Sequence, residues 1–252
     1  MRVCVLQFRC AGGFRRALEK AEGYLEVARN PDFVLLGGEF ALNESKQVDP
    51  YPLLAALAER YKCNIIAPVD ANKRRCSKPA EKGHISMHVF GRAGEVLGIQ
   101  DKRSFYPKER TFFKRGSRVQ IFEVDGIRIA LMRGLDILDH GYSSKIRGAD
   151  IVFFSTMAID DMMLELARAR ALDIKAYFAM SSYMGTYSGM NFIGNAAIIE
   201  PVYMVIDGEH MLHQSQVLRH IGDEGLVQAD LDVEHVRTMK AKFARKRSRS
   251  RT

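Results

Sequence analysis

Short apolar runs alternate with helical periodicity from the second residue onward, and this alternation restricts the fold more than any other feature. "RVCVLQF" is strand-like. Phe14, Leu18, Ala21, Leu25 and Ala28 follow at helical spacing, with Arg15, Arg16, Glu19, Lys20 and Glu22 between them. "DFVLLG" reads as a buried strand. Asp49 before Pro50 is a helix start, a cap followed by a residue with its φ already set, and Leu53, Leu54, Leu57, Ala58 and Tyr61 continue the helical face. "CNIIAPV" is a third strand. Beyond a polar loop, "HISMHVF" and "EVLGIQD" flank Gly91-Arg92-Ala93-Gly94 as a hairpin. "VQIFEV" and "IRIALMR" flank Asp125-Gly126 as a second one. "DIVFF", a helix from about Asp160 to Lys175, "YFAMSS", "NAAIIEP", "VYMVID" and "LVQADLD" complete the series. About a dozen strands overfill one sheet of ordinary size. Two face-to-face sheets with helices outside them, each mixing hairpins with β-α-β steps, fit the count. The class is α/β, and no repeat or internal linker divides residues 1–239.

Charge is concentrated at one end. The net charge is +8, and "KAKFARKRSRSRT" at 240–252 carries seven lysines and arginines with no acid. This segment reads as a basic tail, disordered or partner-bound, able to meet phosphate backbones without sequence preference. No apolar run approaches the ~20 residues that span a bilayer, and "MRVCVLQFRC" lacks a signal-peptide layout, so a cytoplasmic protein with no membrane partner is expected. Cys4, Cys10, Cys63 and Cys76 are irregularly spaced, which argues against a zinc knuckle or a disulfide framework. Cys4 and Cys63 lie in apolar runs and read as small core hydrophobes. Cys76 follows Arg74 and Arg75, whose charges favour a thiolate there.

Three charged residues stand at strand ends, where α/β folds collect catalytic groups: Glu39 after "VLLGG", Lys102 after "VLGIQD", and Glu109 seven residues further on. Taken singly, each reads as a solvated surface charge. Their order is more specific. Glu39, then Lys102 with Glu109, then a strand tip at 134 ahead of "GAD", then "RARALDIKAYFAMSS", resembles the nitrilase superfamily of carbon–nitrogen hydrolases over almost the whole chain. "FVLLGGEFAL" resembles the strand that ends in a catalytic glutamate. "GEVLGIQDKRSFYPKERTFFKRG" resembles the lysine segment, and "VDGIRIALMRGLD" the nucleophile strand. "VCVLQF", "RGADIVFFST" and "NFIGNAAIIEP" resemble the opening strand, the strand after the nucleophile and the late hairpin.

The resemblance implies a four-layer α-β-β-α sandwich with two mixed sheets, a homodimer or larger even assembly, no cofactor and no metal. It also implies a chemistry. A cysteine thiolate attacks an amide or nitrile carbon; by position Glu39 is the base, Lys102 stabilises the charge that develops, and Glu109 supports them. The nucleophile position, however, falls on Gly134. The family's cysteine, aromatic, acid order reads Gly134, Leu135, Asp136 here, and neither Cys nor Ser occurs between 118 and 142. The phenylalanine-proline-glutamate stretch after the cysteine is replaced by "ILDHGYSS", and the interval to "GAD" is about two residues short.

Two functions follow. One is a carbon–nitrogen hydrolase for small amides or nitriles, disabled or strongly impaired at its nucleophile. The other is a non-catalytic member that binds a small amide-like or carboxylate-like ligand or serves assembly. Nucleic-acid binding through the tail is a third reading. Arg133 is expected to face solvent. His84 and His88, four apart in an expected strand, share a face that a metal can use, although no convergent Cys or carboxylate accompanies them. Met157, Met162, Met163, Met180, Met184 and Met190 read as core packing.

Overall fold

The structure, a computed structural model, describes residues 1–9, 13–37, 49–69, 82–187, 189–206 and 210–249, with side chains except at 204–206, 210–213 and 243–249. In chain order the elements are β1 (Arg2–Gln7), α1 (Gly13–Val27), β2 (Phe33–Leu35), α2 (Pro50–Tyr61), β3 (Asn64–Val69), β4 (Ser86–Phe90), β5 (Val96–Asp101) and α3 (Glu109–Phe112). Then come β6 (Ile121–Val124), β7 (Ile127–Arg133), a 3-10 turn (Gly134–Leu138), α4 (His140–Lys145), β8 (Ile151–Met157), α5 (Met162–Ile174) and β9 (Tyr177–Tyr187). β10 (Met190–Ile193), β11 (Ala196–Ile206), β12 (His210–Ile221), β13 (Gly225–Asp230) and α6 (Val233–Arg249) close the chain.

Two mixed sheets result, ordered β13-β1-β2-β3-β4-β5 and β12-β11-β9-β8-β7-β6, with β10 added to β9. β1, β2 and β3 are mutually parallel, as are β7, β8 and β9, and the remaining pairs are antiparallel. The central strands are apolar on both faces because alternate residues enter different cores. Val3 and Val5 of β1 meet Phe33, Ile66, Ile129, Leu131 and Phe153 between the sheets, while Cys4 and Leu6 face Phe14, Ala21 and Leu25 of α1 and Leu54 and Leu57 of α2. On the other side Ala130, Met132, Val152 and Phe178 pack on Met163, Ala167 and Ala171 of α5. Helix, sheet, sheet and helix form the four layers that the resemblance implied.

Both glycine hairpins form. At β6–β7 the turn residues Asp125 and Gly126 have φ of 52° and 74°, the doubly left-handed turn whose twist matches antiparallel strands. Asp49 caps α2 by accepting from the Tyr51 N–H at 3.1 Å. Some expectations differ from the structure. "NAAIIEP" and "VYMVID" form the single strand β11; pairing with β9 ends at Ile199, so Pro201 lies where β11 has one neighbour only and its lack of an N–H is tolerated. β12, opposite β11, is a strand that the sequence reading lacks, because its many polar residues hide the apolar alternation. Met163, Met180 and Met184 are buried as expected, whereas Met162 and Met190 are exposed.

The tail also differs. Residues 240–249 continue α6 as helix where a disordered or partner-bound segment was expected. Val236 and Met239 anchor this helix by entering the inter-sheet core, and the Lys240 ammonium donates to the Ala149 carbonyl. Arg237 and Arg128 both pair with the wholly buried Asp150, at 2.7 and 2.9 Å. Asp150→Ala is expected to cost about 2 kcal/mol, less than a fully buried pair would, because both arginines keep partial contact with solvent. Urea denaturation of the full chain measures it. Among the described residues no helix is long and apolar enough to cross a membrane.

Candidate active site

β5 runs parallel to β3, so Lys102 emerges at the same edge of the first sheet as the carboxyl ends of β1, β2 and β3. Its backbone is pinned on both sides: the N–H donates to the Ile85 carbonyl at 2.8 Å and the carbonyl accepts from the Gly116 N–H at 2.9 Å. Position 116 tolerates no side chain, since a Cβ there would stand 2.6 Å from the Asp101 carbonyl oxygen. The Lys102 side chain is 5% exposed. Its Nζ lies 2.5 Å from Glu109 Oε1, and 5.8 and 5.4 Å from the ring centres of Phe105 and Tyr106. Glu109 is itself held, its Oε2 accepting from the Tyr106 N–H at 2.7 Å. Withdrawing an ammonium from water is costly, and a carboxylate partner with aromatic faces around it offsets that cost.

Gly134 ends β7 in the left-handed region, with φ of 51°, and turns the chain into the 3-10 segment. A Cβ built at this position would lie 3.2 Å from Lys102 Nζ and 3.4 Å from its Cε. Lys102, Glu109 and Gly134 therefore converge, from three separate parts of the chain. Glu39 lies outside the described residues, and so do Cys10 and Cys76. Cys4 and Cys63 are buried between the first sheet and its helices, where desolvation pushes each thiol up to about 12. They behave as the expected core hydrophobes, and neither of these two thiols is ionised near neutral pH.

Asp136 carries a role that the sequence does not reveal. Its carboxylate is fully buried, and Oδ1 accepts from the backbone N–H groups of Arg103 (3.0 Å) and Ser104 (2.6 Å). The residue two beyond Gly134 thus fastens the segment that carries Lys102. Burial pushes its pKa up to about 6; the two backbone donors and the nearby Lys102 charge oppose that rise without cancelling it. Only its place in the "GLD" triplet hints at this.

Arg133 corrects an expectation. It does not face solvent: it is 3% exposed, and Nη1 donates to the Ser86 carbonyl of β4 at 3.0 Å. Period-two alternation explains this, because Ile129 and Leu131 point between the sheets and Arg133 follows them inward. The histidine pair is corrected too. His84 precedes β4 and has Nδ1 3.5 Å from Asp101, while His88 lies within the strand with Nε2 2.7 Å from the Tyr51 hydroxyl. Among the described residues no group of three or more His, Cys, Asp or Glu side chains is placed to hold a metal ion.

A comparison with curated proteins found no match. Among solved structures, an amidase from Nesterenkonia sp. AN1, with acrylamide added at its active-site cysteine, superposes with a TM-score of 0.76 at 19% identity, covering 98% of this chain and 99% of that one. A carbon–nitrogen hydrolase from Helicobacter pylori G27 gives 0.77 at 17% identity, over 98% and 94% of the two chains. XC1258 from Xanthomonas campestris, a CN-hydrolase superfamily protein with an arsenic adduct in its active site, gives 0.78 at 17% identity, over 97% and 95%. At these identities the superpositions speak for the fold. The sequence itself matches the family model for carbon–nitrogen hydrolases across residues 44–241, well over half of its length. The chain belongs to the carbon–nitrogen hydrolase family.

Proposed function

We propose that this protein keeps the family's pocket while giving up its covalent route, and that it holds a small amide-like or carboxylate-like ligand without thiol-dependent turnover. The observation that carries this reading is the approach of the Lys102 ammonium to Gly134, 3.2 Å from where a Cβ would be. A cation held there by Glu109 is placed to meet a carbonyl or carboxylate oxygen, and residue 134 offers no atom to attack the carbon beside it. A water-based reaction with Glu39 as base would lack the covalent intermediate and run many orders of magnitude slower. Retention of the Lys102–Glu109 pair favours binding, because burying two charges is costly and a purely structural pocket has no need of them.

The test uses the purified chain. Forms of the Nesterenkonia amidase are described in complex with butyramide, which makes butyramide and butyrate reasonable probes. Saturable binding of one or both is expected, weakened about tenfold or more by Lys102→Ala, with no turnover of small amides, ureido compounds or nitriles. Turnover that Glu39→Gln abolishes, and that survives replacement of all four cysteines, would instead establish an unconventional hydrolase.

A further inference from the structure

The inward positions of β7, β8 and β9 are apolar along most of their length: Ile129 and Leu131, Ile151 and Phe153, Tyr177 and Ala179. At the next inward position all three change character together. Arg133 is in register with Ser155, and Ser155 with Ser181, so the three side chains form one row on the face turned toward the first sheet. Each is withdrawn from water, at 3%, 0% and 0% exposure. The two ends of the row reach the opposite sheet, Arg133 Nη1 donating to the Ser86 carbonyl at 3.0 Å and Ser181 Oγ to the Leu36 carbonyl at 3.2 Å. The middle member differs. Ser155 Oγ has no hydrogen-bond partner among the described residues. A buried hydroxyl left in that state is unfavourable unless something else occupies its donor and acceptor positions.

The row lies beside the site already described, because Arg133 is the residue before Gly134. Glycine at 134 leaves open the volume that a side chain would fill above it. The Lys102 ammonium on that side is already matched by Glu109 at 2.5 Å. A guanidinium differs from an ammonium in presenting five donors in a planar fork, and it stays charged at any pH the fold survives. The complement of a fork with a hydroxyl beside it is a planar anion with two oxygens.

We infer that Arg133 and Ser155 recognise the carboxylate of a small ligand, and that Ser181 braces the row against the first sheet. The inference rests on the reading that the pocket binds a ligand, and it names the ligand's charged group. The Arg133 fork faces the two carboxylate oxygens, and Ser155 Oγ donates to one of them. The amide of the same skeleton replaces one acceptor by a donor and carries no charge, so the site discriminates against it.

Calorimetric titration of the full chain with butyrate and with butyramide decides the matter. Butyrate is expected to bind about tenfold more tightly or better, a preference that a purely structural Arg133 would not produce. Ser155→Ala is expected to weaken butyrate about fivefold with the melting temperature unchanged or raised, since it removes a buried hydroxyl. Arg133→Lys, which keeps the charge and loses the fork, is expected to erase the preference for butyrate; if that variant fails to fold, the serine variant decides alone. Equal or tighter binding of butyramide, no saturable binding of butyrate, or butyrate affinity untouched by Ser155→Ala overturns the inference. Butyramide binding without carboxylate preference leaves the proposed function standing. Cysteine-independent turnover, by contrast, defeats that function and leaves the carboxylate preference to be judged on the titrations.

Discussion

A cysteine introduced by Gly134→Cys is expected to be alkylated by iodoacetamide at pH 7 about tenfold faster or more than Cys4 or Cys63 of the same chain, as followed by peptide mass mapping. The new Cβ would stand 3.2 Å from Lys102 Nζ, a contact that the flexible lysine tip relieves by moving a few tenths of an ångström. The ammonium then favours the thiolate. Glu109 on the other side of that ammonium reduces the effect without removing it, because it is the more distant charge. Burial pushes the thiols of Cys4 and Cys63 up to about 12, so they serve as slow internal references. Adding Lys102→Met should remove most of the acceleration. The left-handed φ of 51° sets the cost of the substitution. For a residue with a Cβ it is about 1 kcal/mol, or about 2–4 °C in melting temperature at this chain length. A thiol at 134 as slow as Cys4 would mean that Lys102 does not govern this position.

The second large effect concerns Asp136. An ordinary aspartate releases its proton near 3.8, and this one, desolvated, holds it to about 6. The native state therefore binds more protons than the unfolded chain between those values. The stability contributed by the protonated form is complete below the lower one and is lost as pH rises through the upper one. An amide in place of this carboxyl does not titrate, and it keeps a carbonyl oxygen for the Arg103 and Ser104 N–H groups. Relative to the parent, Asp136→Asn should gain up to about 3 kcal/mol on going from pH 4 to pH 7, a ceiling set by the full shift. Urea denaturation of both proteins at the two pH values gives this difference. A free-energy gap that stays constant with pH would show that the carboxyl titrates normally.

Both predictions concern residues whose positions are legible in the sequence to very different degrees. The β-α alternation, the Asp125-Gly126 hairpin and the Asp49 cap are local signals, and local signals survive into the fold because turn and cap geometry depends on a few adjacent residues. The convergence of Lys102, Glu109 and Gly134 is legible only through the order of motifs, since no local rule brings positions 102 and 134 together. Arg133 misleads because an arginine at a strand end is ordinarily solvated. The alternation that places Ile129 and Leu131 inward applies to it equally and overrides that habit. Asp136 and Ser155 are illegible for a different reason: what distinguishes them is whom they face, and their surroundings come from other strands or loops. The histidine pair fails because the strand begins two residues later than expected, which removes His84 from the face that His88 occupies.

β1 joins β13 along its whole length, from Arg2 opposite Asp230 to Gln7 opposite Gly225, and this pairing shapes how the molecule is made. During synthesis the earliest strand to leave the ribosome waits, with one edge open, until almost all of its neighbours have been translated. A topology that depends on such distant closure folds slowly and exposes an apolar ribbon in the meantime. Chaperone demand in the cell should accordingly track translation of the last strand and of the helix behind it.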